Sequence, residues 1–404
     1  MIKKILIISP ENYPKIKVGG LGKMVTGAAE GLSHLEVDVR VISPNENIYQ
    51  PLYKKETEEN YRKLGLRARY FCQKNNWRPD VLWIHDWGGI WSGEQFVKEA
   101  GTPQVIWTIH SPISDNYGYN YNSYGYFEEL DDNPIDWGDS FFDFGGLIRK
   151  GVNLADKVTT VSKTFAKNLA RHQLFESAKT IIGIDNGIDN KEWNAENDEL
   201  IDFNLGNSWR EFKKMNKIIL QGNFGLPQID VPVFTFVSRI VPQKGIKLLL
   251  KTLPEFLGKN DIQFIFVGNG NQRSLQYINR LKCLFPLKVG VKLESNFDLP
   301  HQVFAGADFL VLPSVSEPYG IVVAEAKKYG VIPIVHLIDG LKDQVTDQIN
   351  GFGFQSYQQE KLEEKMYSAL SSYKSEWQID KWPNDKNVEN WHQVSQKWLA
   401  LMNE

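Results

Sequence analysis

Short apolar runs alternate with longer stretches of amphipathic period along almost the whole chain. In the first half the runs 5–8, 37–42, 81–85, 105–110, 157–161 and 180–184 have the length of strands buried on both faces. Helical periodicity fills the gaps at 21–35, 58–75 and 163–173. The second half repeats the theme, with strands expected at 233–238, 263–267, 289–293, 309–313 and 332–336 and helices at 246–257, 272–285 and 319–330. Strands alternating with helices imply parallel sheets covered on both faces. Two such series, with the polar stretch 185–230 between them as the expected linker, imply two Rossmann-like domains, over 1–190 and 191–385. A last helical pattern, at about 386–404, carries Trp391, Trp398 and Leu399 on its apolar side and is expected to pack back on the first domain.

A length of 404 residues suits two such domains, and 42% hydrophobic with 24% charged residues is a globular balance. A formal net charge of −3 recruits neither nucleic acid nor an anionic membrane, so any phosphate site must be local. Cys72 and Cys283 lie far apart with no metal-ligand spacing around them, as expected of reduced thiols. The first apolar run is four residues long and ends at Pro10, which predicts a buried strand rather than a secretory leader. No run approaches the roughly 20 apolar residues of a membrane span, so a cytoplasmic location is expected. The chain carries 12 Trp, 16 Tyr and 22 Phe, rings that stack on sugars but more often fill cores.

One region breaks the alternation. Between 114 and 143, Tyr117, Tyr119, Tyr121, Tyr124 and Tyr126 are interleaved with Gly, Asn and Asp, the composition of a long surface loop and a candidate acceptor-binding segment or lid.

Open parallel sheets bind ligands beyond the carboxyl ends of their strands. There the first domain has Lys17-Val18-Gly19-Gly20-Leu21-Gly22 opening a helix, a turn that brings free backbone N–H groups and a cation to an anion. It also has His85-Asp86-Trp87 and His110, each after a strand. In the second domain Arg239 and Lys244, five residues apart in a strand-to-helix loop, suit the two phosphates of a diphosphate. In Glu317-Pro318-Tyr319-Gly320-Ile321-Val322-Val323-Ala324-Glu325, the amides of Gly320, Ile321 and Val322 open a helix able to hold a phosphate. Glu325 follows one turn after Ile321, placed for ribose hydroxyls, and Glu317 is placed for sugar hydroxyls.

Taken in order, these segments resemble the glycogen/starch synthase family of retaining glycosyltransferases. Lys17-Val18-Gly19-Gly20-Leu21 is similar to its Lys-x-Gly-Gly-Leu motif, His85-Asp86-Trp87 to its His-Asp-Trp strand end and Thr108-Ile109-His110 to its Thr-x-His. Asn186-Gly187-Ile188-Asp189, Asn216-Lys217 with Leu220-Gln221, Val237-Ser238-Arg239 and Gln243-Lys244-Gly245 follow in sequence. The resemblance implies an α/β fold of two Rossmann-like domains facing across a cleft, the GT-B type. It implies transfer of glucose from ADP-glucose or UDP-glucose to an α-1,4-glucan, with no metal or other cofactor. It assigns catalysis to Glu317, Arg239, Lys244 and His110. Donor binding falls to Lys17, Gly19, Gly20, Gly320, Ile321, Val322 and Glu325, and the acceptor side to Asp86, Trp87, Tyr117 and Tyr119. The departures are Lys23 in place of an acid, Glu-Pro-Tyr-Gly for Glu-Pro-Cys-Gly, Glu325 for an uncharged residue, a short 42–80 region and Asp339-Gly340-Leu341 for Gly-Gly-Leu. They leave open a transferase making a small glycoside or cell-envelope polysaccharide, and an inactive glucan-binding homologue.

Overall fold

A computed structural model describes residues 2–14, 20–44, 55–97, 103–111, 144–294, 296–374 and 388–404. The chain divides into two compact units, Met1–Gly187 with Glu389–Glu404, and Ile188–Val388.

The first unit is a six-stranded parallel sheet of β1 (Lys4–Ile8), β2 (Asp38–Ile42), β3 (Val81–His85), β4 (Gln104–Ile109), β5 (Lys157–Thr160) and β6 (Ile181–Gly183), in the order β2-β1-β3-β4-β5-β6. Helices α1 (Gly20–Ser33), α2 (Lys55–Lys74), α3 (Asp86–Phe96), α4 (Phe144–Leu154) and α5 (Lys163–Ala170) connect the strands. Two cores, one around Leu6, Leu82, Trp87 and Trp107 and the other around Ile5, Ile7, Trp83 and Val25, cover the alternate faces set by strand period. Because β1 reverses the winding between β2 and β3, the crevice of this sheet lies beyond the ends of β1 and β3.

The second unit opens with α6 (Trp209–Asn223), a 15-residue helix capped by Ser208, inside the stretch expected to be linker. Its buried face is Phe212, Lys213, Asn216, Lys217, Leu220 and Gln221, so a core-facing stripe is built partly from polar residues. Their N–H groups find acceptors: Lys217 pairs with Asp308 at 2.7 Å, Asn216 donates to Phe203 O and Phe212 O, and Gln221 donates to Ile229 O, although Gln221 Oε1 is buried without a partner among the described residues. The resemblance segment 216–221 therefore belongs to the packing of the unit, not to its ligand end.

The sheet follows with β7 (Val233–Val237), α7 (Ile246–Lys259), β8 (Gln263–Val267), α8 (Gln272–Leu284), β9 (Val289–Lys292), α9 (Leu299–Gly306), β10 (Phe309–Leu312), α10 (Ile321–Lys328), β11 (Ile332–His336), α11 (Asp339–Gln344), β12 (Phe352–Phe354) and α12 (Gln359–Lys374). The order β12-β11-β10-β7-β8-β9 is the dinucleotide-fold order, with its reversal between β7 and β10. All five residues of β7, β8 and β11 are buried, as two-sided covering requires.

The C-terminal helix α13 (Trp391–Asn403) returns to the first unit, started by a capping box of Asn390 and Gln393. It lies close on α1 because that helix presents glycines: a Cβ on Gly27 would stand 2.4 Å from the Trp391 ring, and one on Gly31 would stand 2.2 Å from Ser395 Oγ. Trp398 packs on Trp83 with ring centroids 4.6 Å apart, and Lys157 Nζ donates to Leu401 O at 2.6 Å. Among the described residues no helix is long and apolar enough to cross a membrane, and both cysteines are free.

Candidate active site

The ligand end of the second unit is assembled by the two loops that flank its reversal point. The chain leaves β7 through Ser238 and Arg239, makes a 3-10 turn over Pro242–Lys244 and enters α7 through Gly245. Gly245 has φ 72°, and a Cβ there would lie 1.7 Å from Pro313 O, so the loop after β7 rests directly on the chain leaving β10. That contact brings Lys244 to Glu317: Nζ and Oε2 are 2.5 Å apart with both side chains buried. Ser314 Oγ donates to the same carboxylate oxygen at 3.2 Å. Arg239 is exposed, and its guanidinium makes no ion pair among the described residues. One cation is thus already neutralised by an acid, and another stands free at the strand end.

Beyond Glu317 the chain turns through Gly320, at φ 89°, into α10. A Cβ on Gly320 would meet the Leu341 side chain at 2.7 Å and Glu317 Cγ at 3.1 Å, so only glycine keeps the helix start against the carboxylate. Ile321 and Val322 head the helix; Val323 N already donates to Gly320 O at 2.9 Å. Glu325 lies one turn further on and is buried. Gln344, from α11, donates to the carbonyls of Tyr319 and Gly320. Behind the loop, His336 sets Nδ1 2.8 Å from Ser314 O and Nε2 3.1 Å from Gln355 O. Burial pulls its imidazole below the ordinary value, with the two carbonyls and Asp339 pushing the other way.

In the first unit, register does the assembling. His85 pairs with Thr108 across β3 and β4, so His110 stands two residues further along, and His85 Nδ1 lies 2.9 Å from His110 Nε2. Burial drives both imidazoles toward the neutral form, His85 well below its ordinary value and His110 down to about 3. Two neutral rings share one proton at that contact. His85 Nε2 is buried without a partner among the described residues. A lone pair is easier to leave unpaired than an N–H, which favours His85 donating from Nδ1 and leaves His110 Nδ1 as the donor facing outward.

Asp86 sits at φ 56° and accepts from Ser111 Oγ at 2.7 Å, Ser111 N at 3.2 Å and His110 N at 3.3 Å. Burial pushes its carboxyl up to about 6, against these bonds and with the charge of Glu11 adding to the rise. Glu11, buried just past β1, accepts from Gly22 N in α1 at 3.2 Å. Gly20, the first residue of α1, is exposed beside it in sequence.

One expected site residue is corrected. Trp87 was assigned to the acceptor side but is 2% exposed, its ring edge-on to Trp107 at 5.7 Å inside the core under α3. Asp86 stands at the strand end, but α3 begins there, and the next side chain turns inward. Lys17, Gly19, Tyr117, Tyr119 and the whole segment 114–143 lie outside the described residues. Glu11, Ser111, Ser314, Ser316 and His336 were not singled out from sequence. All but His336 lie within four residues after a strand, and His336 ends one, so a scan of every strand end for polar residues would have found them.

Two Rossmann-like units, the second with a cation pair, a buried carboxylate and a helix start at its reversal point, define a glycosyltransferase. The starch synthase catalytic domain family matches residues 4–67 and 45–182, and the family of glycosyl transferases group 1 matches 225–381. A glycogen synthase of Kosmotoga olearia is 31% identical over 92% of this chain and 91% of its own. The catalytic domain of starch synthase IV from Arabidopsis thaliana, bound to ADP and acarbose, superposes with a TM-score of 0.82 at 19% identity, covering 100% of this chain and 99% of that one. A sucrose-phosphate synthase from Thermosynechococcus elongatus shares the fold at a TM-score of 0.72, 17% identical over 99% of this chain and 98% of its own. The chain belongs to the glycogen synthase family.

Proposed function

We propose that this enzyme elongates an α-1,4-glucan, moving glucose from ADP-glucose or UDP-glucose to a non-reducing end with retention of anomeric configuration. The observation that carries the reading is the reversal point of the second sheet, where Arg239, the Lys244–Glu317 pair and the start of α10 converge. The family relationship supports the same reaction, and the starch synthase IV complex shows a nucleotide diphosphate and an oligosaccharide on this fold.

In the proposed reaction the bond from the anomeric carbon to the diphosphate oxygen breaks. A glucan hydroxyl oxygen bonds to the same face of that carbon, and its proton passes to the leaving phosphate. Negative charge grows on the diphosphate as the bond opens. Arg239, Lys244 and the N–H groups of Ile321 and Val322 stabilise it, and no metal is required. Glu317, no longer held so closely by Lys244 as the phosphates arrive, takes the sugar hydroxyls. Glu325 serves the ribose. In the first unit, His110 donates from Nδ1 to a hydroxyl of the transferred sugar, and Asp86 lines the acceptor side. Lys17, Gly19 and Gly20 complete the donor contacts, and Tyr117 and Tyr119 those of the acceptor.

The test is release of nucleoside diphosphate from ADP-glucose and from UDP-glucose, each with and without glycogen and with and without a chelator. Glycogen-dependent release from one donor that survives chelation is expected. Slow release indifferent to glycogen would instead favour a transferase making a small glycoside or envelope polysaccharide. No release from either donor would sink the reading.

A further inference from the structure

We infer that Asp339 is a positioning residue that holds Glu317 in register with the donor sugar, a role resting on the reading of Glu317 above. Asp339 begins α11 just beyond β11, and its backbone lies in the left-handed region at φ 43°. A side chain there carries a conformational cost that glycine avoids, and glycine is the residue that the resembling Gly-Gly-Leu motif has at this point. The side chain that bears this cost is buried and directed at one loop. Oδ2 accepts from Ser316 Oγ at 2.8 Å and from Glu317 N at 3.1 Å. The next residue returns a bond, with Gly340 N donating to Glu317 O at 3.0 Å. Glu317 is therefore held on its backbone N–H by Asp339, on its carbonyl by Gly340, and on its carboxylate by Lys244 and Ser314.

The first of these restraints exists only because a carboxylate stands where the backbone conformation favours glycine. Losing it frees the peptide between Ser316 and Glu317 to rotate. A carboxylate that must meet sugar hydroxyls within a few tenths of an ångström is sensitive to such a rotation. The phosphate-binding groups Arg239 and Lys244 sit on a different loop and are not held by Asp339.

Three variants separate positioning from mere stability. Asp339→Gly keeps the backbone conformation and removes the acceptor. Asp339→Asn keeps both, since Asn tolerates a positive φ and retains an acceptor oxygen. Glu317→Gln is the control for the donor reading. With kcat, donor KM and Tm measured on each, Asp339→Gly is expected to keep its Tm within about 3 °C of the parent. Its kcat should fall about tenfold or more with KM nearly unchanged, and Asp339→Asn should recover most of that loss. An Asp339→Gly enzyme with parental kcat overturns the inference, and so does an Asp339→Asn enzyme as slow as Asp339→Gly. If Glu317→Gln itself keeps full activity, the donor reading falls and this inference with it. If Glu317→Gln is inactive while Asp339→Gly is normal, only the role of Asp339 is lost.

Discussion

At the reversal point of the first sheet, between β1 and β3, burial works to discharge Asp86, His85 and His110. The histidines are driven neutral, and Asp86 is lifted to about 6. At the reversal point of the second sheet, between β7 and β10, opposite charges meet: Lys244 on Glu317, with Arg239 at the end of β7 making no ion pair among the described residues. The strand orders differ only in where the winding reverses, so topology alone does not explain the contrast. The proposed ligands would. A neutral sugar is recognised through oriented donors and acceptors, which tolerate desolvation when satisfied, whereas a leaving diphosphate demands full cations. Under the proposed function, each unit carries the electrostatics of the half of the substrate assigned to it.

The largest effect should come from breaking the charged pair. Lys244→Met strands a carboxylate that is only 8% exposed in its side chain. Removing one partner of such a pair costs about 3–5 kcal/mol, and donor turnover should vanish with it. Adding Glu317→Gln restores a neutral, well-filled pocket, so the double variant should regain most of the lost stability and none of the activity. Thermal unfolding beside diphosphate release decides the point. A single variant as stable as the parent would mean that the pair does not balance buried charge.

Arg239 should behave oppositely, because its exposed guanidinium makes no ion pair among the described residues. Arg239→Ala is expected to shift stability by less than about 0.5 kcal/mol while lowering kcat about 10²-fold, as loss of a group aimed at developing charge does. Equal losses of stability and rate would show that Arg239 belongs to the scaffold.

Much of this contrast was legible in the chain. The runs 81–85, 263–267 and 332–336 are the strands β3, β8 and β11 to the residue, because a strand covered on both faces is apolar except at an end, here at His85, Gln263 and His336. Arg239, Lys244 and Glu317 stand out for the converse reason, as charges where such a strand ends. What escaped was whatever lacks a period. Helix α3 has Asp86 to Gly93 all buried, so no polar face marks it as a helix, and Trp87 was assigned to the acceptor side instead of the core. Helix α6 hides its stripe behind Lys213, Asn216, Lys217 and Gln221, whose burial depends on partners far away in sequence, such as Asp308 and Gln263. Strand β12 has three residues, too few to alternate. The pairing of His85 with His110 depends on the register of β3 against β4, which composition does not encode.

The smallest expected effect tests the discharged site, through pH. Asp86 titrates at an ordinary 3.8 when unfolded and at about 6 when folded. Between those values the folded chain binds more protons than the unfolded one, so this residue adds stability as pH falls through 6 and withdraws it as pH rises. The histidines act with the opposite sign. Their folded values lie below the ordinary 6.5, so the unfolded chain gains protons first, and acidification below 6.5 costs stability. In the parent the two effects partly cancel. Asp86→Asn removes only the first, and it fits the site: asparagine accepts a positive φ, offers an oxygen to Ser111 N and His110 N, and can donate to Ser111 Oγ. Its stability should therefore match or exceed the parent's at pH 7 and fall more steeply toward pH 4, by an extra ~2 kcal/mol across the window. Calorimetric Tm measured from pH 7 to about pH 4 on both proteins is the check. Parallel curves would mean that Asp86 is not held uncharged by its burial, and that the two reversal points differ less than their buried groups imply.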